Sequence, residues 1–232
     1  MAIIDRHFPL DQVGDERLRQ ALQILTTEHF TLQGARATTV SESLGRLSTF
    51  LATISGSLIA IGFAGQVAAF GTTFKVFTLL LLPSVLLLGI VTCARVAQTA
   101  MEDVHYNLGI NRIHHFYVEV VPEIADYLVG SIHDDFDGGL KGMGLRRTRW
   151  QPFLSIVGLV AMLNSLLTGV LAALIVAWST EAPLPPVLTV GIVTGALTVA
   201  AHLTIGLRTM RNREVAMPAL FPTPPTLEPS SR

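Results

Sequence analysis

Charged residues in this chain of 232 residues are confined to separate blocks. Residues 47–94 contain one charged side chain, Lys75, and residues 150–207 contain one, Glu181. The other 126 residues carry 31 of the 33 charges. A soluble domain spreads charge over its surface, whereas a segment that crosses a bilayer is nearly free of it. The pattern therefore argues against a soluble globular enzyme, a disulfide scaffold and a disordered chain.

Four apolar segments are each long enough to cross about 30 Å of hydrocarbon as a helix. They are residues 49–70, 76–96, 153–178 and 187–207. A Gly-Thr-Thr turn joins the first pair, and a proline-rich loop that interrupts helices joins the second pair. The sequence predicts an all-α polytopic membrane protein, with four transmembrane helices in two hairpins and a cytoplasmic helical extension.

Basic residues indicate the orientation of these spans. Thirteen of the sixteen lie in the N-terminal arm, the loop between the second and third spans, or the tail close to the fourth span. Because basic loops stay on the cytoplasmic side, both termini are predicted to be cytoplasmic, in a multi-pass protein of a bacterial-type plasma membrane. The predicted divisions are an N-terminal arm (1–14), an amphipathic helix region (15–48), transmembrane hairpin 1 (49–96), a cytoplasmic helical loop (97–149), transmembrane hairpin 2 (150–207) and a disordered proline-rich tail (208–232).

Small residues recur at every fourth position in three spans, which places neighbours in each series on one helix face. Such stripes let helix backbones approach closely in a membrane. They favour packing within one monomer, with a seam between copies or a pore lining as the alternative. The predicted packing residues are Ala52, Gly56, Ala60 and Ala64 in the first span, Ala161, Ser165, Gly169 and Ala173 in the third, and Gly191 and Gly195 in the fourth.

Polar side chains within the spans are few. Gln66, Asn164 and His202 are the strong hydrogen-bonding groups. No other ionisable group lies at the depth of His202, so an interfacial hydrogen bond is favoured there over a proton relay or a haem ligand. Pro83 is expected to kink the second span and is a candidate hinge, because proline removes a backbone donor.

Two segments outside the spans carry amphipathic patterns. Apolar residues recur with 4-3-4-3 spacing in both segments, with one histidine in the first. The spacing predicts two helices that pair as an antiparallel stalk, and the alternative is that each helix lies separately on the membrane surface. A break in the first helix is expected within residues 34–43, which are rich in Gly, Thr and Ser, and Pro122 is expected to end the second helix. The patterned residues are Leu18, Leu22, Leu25, His29 and Leu32, then Tyr106, Ile110, Ile113, Tyr117 and Val120.

Histidine and acidic residues cluster between residues 102 and 137. His115 and Glu119 are four residues apart on one helix face, where they are candidates to ligate one metal. A second group of candidate ligands contains His133, Asp134, Asp135 and Asp137. No complete metal motif is present, so the pattern favours a solvated helix face followed by a polar turn, with a divalent-metal site as the alternative hypothesis.

These observations predict a non-enzymatic integral membrane protein that acts by assembly, as a scaffold, sensor or effector module. A homo-oligomeric ion channel or pore is the first alternative, and a membrane-anchored metal-dependent enzyme is the second. The expected partners are the lipid bilayer and further copies of the chain, with room for a cytoplasmic protein partner. The net charge of −1 gives no footprint for nucleic acid, and no cofactor is required beyond the hypothetical metal.

Overall fold

The computed structural model describes residues 14–144, 148, 150–180, 182–216 and 218–224. Within those residues the regular structure is entirely helical, which confirms the all-α prediction. A 3₁₀ helix (Pro122–Tyr127) follows α2. The α-helices are α1 (Asp15–Val67), α2 (Thr72–Val120), α3 (Phe136–Gly142), α4 (Gln151–Leu154), α5 (Ile156–Thr180) and α6 (Leu184–Ala216).

Among the described residues, four helices are long and apolar enough to cross a membrane, as the charge pattern predicts. They are α1, α2, α5 and the Leu184–Thr209 part of α6. Their most apolar windows have mean hydropathies between 1.7 and 2.5. With 53 and 49 residues, α1 and α2 are each roughly twice as long as a span requires, so both also contain charged sequence.

The predicted break in the first helix is wrong, because α1 continues from Asp15 to Val67. A single internal glycine such as Gly34 costs a helix only about 1 kcal/mol. The Thr38 hydroxyl donates to the Gly34 carbonyl at 3.0 Å, and so bonds within the helix instead of competing with it. Arg36 also binds Asp103 of α2 at 2.8 Å, which ties this part of α1 to a partner helix.

The described residues form two compact units. Unit 1 contains residues 14–38, 103–144 and 218–224, and unit 2 contains residues 39–102, 148, 150–180 and 182–216. In unit 1 the N-terminal part of α1 runs antiparallel to the C-terminal part of α2. Thr26 lies 3.4 Å from the Tyr117 hydroxyl, while Arg36 binds Asp103. Positions that rise along α1 therefore fall along α2, which is the pairing that the two 4-3-4-3 patterns predict.

Unit 2 has an apolar core built from α1, α2 and α5. Phe50 and Val160 are completely buried and pack with Val85 and Cys93. Pro83 does not interrupt α2, which continues through it. Its side chain is on the exposed side of the helix, where the missing N–H disturbs no packed face.

Candidate functional site

One polar face of α2 in unit 1 holds the loop that follows the 3₁₀ helix. The Asn107 side chain donates to the Gly139 carbonyl at 3.0 Å, and Asn111 donates to the His133 carbonyl at 2.8 Å. Both asparagines are almost fully buried. Their spacing of four places them on one side of the helix. Sequence reasoning passed over this pair, although two asparagines one turn apart in an amphipathic helix indicate a polar contact.

Asp134 is the best-enclosed carboxylate of this loop, with only 1% of its surface exposed. It forms an ion pair with Arg112 of α2. Its two oxygens also accept hydrogen bonds from consecutive backbone amides, Leu220 N–H at 3.1 Å and Phe221 N–H at 2.7 Å. In return the Asp134 N–H donates to the Phe221 carbonyl at 3.2 Å. A buried charge is stable only when it is paired and hydrogen-bonded, and Asp134 is both.

Asp135 makes a second set of contacts with the same part of the chain. It accepts from the Thr223 N–H at 2.9 Å and from the Thr223 hydroxyl at 2.8 Å. It also caps α3 by accepting from the Gly138 N–H at 2.8 Å. Burial acts to raise the pKa of Asp135, but the hydrogen bonds from Thr223 and Gly138 outweigh it and hold that pKa below its ordinary value.

An aromatic contact also helps to hold residues 218–224, hereafter the C-terminal segment, against this loop. The Phe221 ring stacks on the His115 imidazole with centroids 3.7 Å apart and an interplanar angle of 18°. The orientation of the His115 ring is fixed by two further contacts. Its Nδ1 bonds the Ile132 carbonyl at 3.2 Å, and its Nε2 lies 3.5 Å from Glu119.

These contacts differ from the disordered tail predicted for residues 208–232. Helix α6 continues to Ala216, and residues 220–223 are fixed to Asp134 and Asp135. The prolines in this stretch end the helix, but they also suit an extended segment that binds another surface. The part of the predicted tail at 225–232 lies outside the described residues.

Four of the six predicted metal ligands make other contacts, while the buried Nδ1 atom of His133 has no hydrogen-bond partner among the described residues. His115 and Glu119 contact each other, Asp134 and Asp135 bind the C-terminal segment, and Asp137 is exposed. Within the described ranges no three His, Cys, Asp or Glu side chains are grouped to hold a metal ion. Metal binding at this loop stays a prediction.

Two histidines pack together between α1 and α2 of unit 1. The rings of His29 and His114 have centroids 5.2 Å apart. Burial lowers the pKa of His29. Burial is also the main cause that lowers the pKa of His114; its bond to the Ser131 carbonyl opposes this, and the neighbouring His29 adds to it. Sequence analysis assigned His29 to the apolar stripe and did not predict the pair.

A cleft of about 330 Å³ lies beside this pair, within unit 1. Gly130 is one of the residues that line the cleft. A Cβ at this position would lie 2.7 Å from the His114 ring, so glycine allows the close approach. The polar groups that line the cleft include Gln33, Arg36, Asn107, Asn111 and His114. Most of these groups already bond to protein, as Arg36 does to Asp103.

The predicted polar residues of the spans have three different environments. Asn164 is fully buried beside Gly89 and Phe50, and its side-chain amide atoms have no hydrogen-bond partner among the described residues. His202 bonds the Thr198 carbonyl of its own helix at 2.9 Å, and Gln66 is exposed. Because His202 uses a backbone carbonyl one turn away, its contact is local to α6.

The predicted packing residues of α5 and α6 meet directly. A Cβ on Gly169 would lie 2.6 Å from the Gly191 carbonyl oxygen, and one on Gly195 would lie 3.3 Å from the Ser165 carbonyl oxygen. The two backbones therefore touch, which only small residues permit. Ala173 on α5 is also near Gly191, whereas Ala161 packs against the core that contains Phe50 and Val160.

The predicted stripe of α1 behaves differently. Ala52 and Gly56 are exposed, and a Cβ on Gly56 would meet nothing within 4 Å. Ala60 and Ala64 are half-buried. Residues four apart advance by about 40° around a helix, so this stripe winds from an open face toward a packed one.

No family model matches the chain, and neither a curated protein nor a solved structure matches it. Proposals about its function therefore depend on the geometry of its own two units.

Proposed function

We propose that this chain is a multi-pass membrane protein that acts by assembly and not by catalysis. Its four spans form two hairpins with both termini in the cytoplasm, and copies of the chain associate through α1. Unit 1 is the cytoplasmic module that such an assembly presents to other proteins. The observation that carries the proposal is an open row of small residues on α1, hereafter the α1 seam: Gly45, Thr49, Ala52 and Gly56, all of them exposed.

The spacing of the α1 seam supports association between helices. Its steps of four, three and four residues keep one face toward a partner, as in left-handed helix pairs. A Cβ on Gly45 or Gly56 would meet nothing within 4 Å, so this face has room for a second backbone. The Thr49 hydroxyl donates to the Gly45 carbonyl at 3.0 Å, which leaves no unpaired donor on that side chain.

The small residues of α1 differ from those of α5 and α6 in what they contact. There the small residues are used inside the chain, since Gly169 contacts Gly191. The small residues of the α1 seam are not used in this way, since a Cβ on Gly45 or Gly56 would meet nothing within 4 Å. Lipid tails gain little from contact with small side chains, whereas a helix partner gains close backbone packing.

Cysteine cross-linking in native membranes tests this proposal. In a Cys93→Ser background, Ala52→Cys is expected to form covalent dimers on mild oxidation. Leu58→Cys is the matched control, because Leu58 is 62% exposed on the same helix but lies about 120° away from Ala52 around the helix axis. Dimers at both positions alike, or at neither, would contradict association through the α1 seam.

The mass of the protein in nanodiscs separates assembly from the channel alternative. A dimer is expected, and Gly56→Leu should shift it to monomer by filling the seam. A closed ring of four or more copies would favour a homo-oligomeric pore instead. Conductance recordings would then compare wild type with Gly56→Leu and with Pro83→Ala.

The metal-dependent enzyme has its own test at the 133–137 loop. Titration calorimetry with Zn²⁺, Mn²⁺ and Mg²⁺ would compare wild type with a His133→Ala/Asp135→Ala variant. Under the assembly proposal neither protein releases heat that depends on these residues. Stoichiometric binding by wild type alone would revive the metal hypothesis.

A further inference from the structure

We propose that residues 131–135 together with His115 form a peptide-recognition site whose ligand is the chain's own C-terminal segment, bound reversibly in cis. The ligand class is an extended peptide of the type Phe-Pro-Thr. This inference concerns unit 1 alone and does not depend on how the apolar helices associate.

The carboxylates recognise the peptide backbone. The two oxygens of Asp134 accept from the consecutive N–H groups of Leu220 and Phe221, at 3.1 and 2.7 Å. The Asp134 N–H donates back to the Phe221 carbonyl, so main chain pairs with main chain. Asp135 then accepts from the Thr223 N–H at 2.9 Å. Backbone bonds of this kind fix the register of an extended ligand.

Two side chains of the ligand supply selectivity. The Phe221 ring lies flat on His115 with centroids 3.7 Å apart, and the Thr223 hydroxyl donates to Asp135 at 2.8 Å. Pro222, between them, has no N–H to leave unpaired and restricts the backbone to an extended form before binding. A pre-extended ligand loses less conformational entropy when it binds.

Asp134 receives two of its hydrogen bonds from the C-terminal segment. Its side chain is fully enclosed, yet apart from Arg112 the donors to its oxygens come from the C-terminal segment. A buried carboxylate that loses two N–H partners is destabilised. A replacement ligand must therefore offer two consecutive backbone donors, which a peptide does and a small anion does not.

The modest size of the contact makes binding reversible. The contacts with Asp134, Asp135 and His115 involve only the short stretch of residues 220–223. The conformational entropy lost on ordering a peptide offsets much of the gain from a few hydrogen bonds. Occupancy then depends on the covalent tether, which keeps the local concentration of the ligand high.

Hydrogen exchange on the full chain in nanodiscs tests occupancy. The amides of Leu220, Phe221 and Thr223 are expected to exchange at least about tenfold more slowly than in a free peptide. Asp135→Asn should remove most of the protection at Thr223. Asp137→Asn is the matched control, since Asp137 is an exposed carboxylate of the same loop. Exchange at free-peptide rates in wild type would overturn the proposal.

A peptide in trans tests recognition and reversibility. The probe is a fluorescent peptide with the sequence of residues 217–225, measured by anisotropy. A full chain carrying Phe221→Ala and Thr223→Val should bind it at least about tenfold more tightly than wild type, whose own segment competes. Asp134→Asn in that variant should abolish binding, and a peptide with the same two replacements should not bind.

Three results of the peptide-binding and hydrogen-exchange experiments would count against the proposal. Equal binding of the native and the doubly substituted peptide would show that the site does not read Phe221 and Thr223. No binding to the double variant, with its other amides still protected, would make the segment a permanent part of the fold. Protection in wild type that disappears on dilution of the protein would mean that the ligand comes from a second copy.

Discussion

Adding one methyl group to Gly169 should separate α5 from α6. A Cβ at this position would lie 2.6 Å from the Gly191 carbonyl oxygen and 3.4 Å from Cα of Gly195. Both are backbone atoms, so no side chain can rotate away. Since heavy atoms pack best at about 3.5 Å or more, the helices must move apart by roughly 0.5–1 Å, which forfeits a quarter to a half of each contact along the seam.

The expected cost of Gly169→Ala is about 1–3 kcal/mol, as for other overpacked sites. Gly206→Ala is the matched control, because a Cβ at that exposed position of α6 would meet nothing within 4 Å. Both changes exchange glycine for a better helix former, so the difference between the two variants isolates the contact with Gly191.

The lone cysteine supplies the assay. Cys93 is 8% exposed and packs with Val160 of α5, so loss of the α5 contact should expose its thiol to a fluorescent maleimide on heating. The midpoint temperature of thiol exposure is expected to be about 2–12 °C lower for Gly169→Ala than for Gly206→Ala. Equal midpoints, or a lower one for Gly206→Ala, would refute the claim that backbone contact governs this helix pair.

Three further perturbations address other contacts, each with its own measurement. Gly89→Ala places a Cβ 1.9 Å from the buried Asn164 amide oxygen, so it should destabilise unit 2 by at least about 1–3 kcal/mol. The same thiol assay measures this, and an unchanged midpoint temperature of thiol exposure would contradict that packing. Because burial lowers the pKa values of His29 and His114, their contribution to stability is present above pH 6.5 and is lost as pH falls through the folded-state pKa values. Amide exchange in unit 1 should accelerate over that pH range, and it should accelerate less in a His114→Asn variant. Two arginines hold the pKa of Glu42 at about 2, so the contribution of Glu42 to stability is present above about pH 4.5 and falls as pH drops toward 2. A series of NMR spectra over this pH range should show the titration in wild type and lose it in Glu42→Gln.

Charge segregation was enough to predict four helices that are long and apolar enough to cross a membrane, because that requirement is one of composition. A helix that crosses hydrocarbon must exclude charge over about twenty residues, and four stretches of this chain do so. The ends of the helices were harder to predict. The expected break at 34–43 was argued from local propensity, and the packing of Arg36 against Asp103 outweighs a cost of about 1 kcal/mol.

The seat of the C-terminal segment could not be predicted from composition. A proline-rich stretch indicates an extended chain, and nothing in it says which surface it meets. The acceptors lie 86 to 88 residues earlier, in a loop whose shape depends on Asn107 and Asn111. The same aspartates were interpreted as metal ligands, because sequence shows the type of a ligand atom but not the donor it already binds.

The small residues show how far a spacing rule extends. A repeat of four drifts by about 40° at each step, so it stays on one face for about two steps, as Ser165 and Gly169 do on α5. Continued over three steps on α1, the same repeat begins on an open face at Ala52 and reaches a packed side at Ala64. A pattern of four and three corrects the drift. The α1 residues that share one open face therefore include Gly45 and Thr49, which the four-residue rule omits, and exclude Ala60 and Ala64, which it includes.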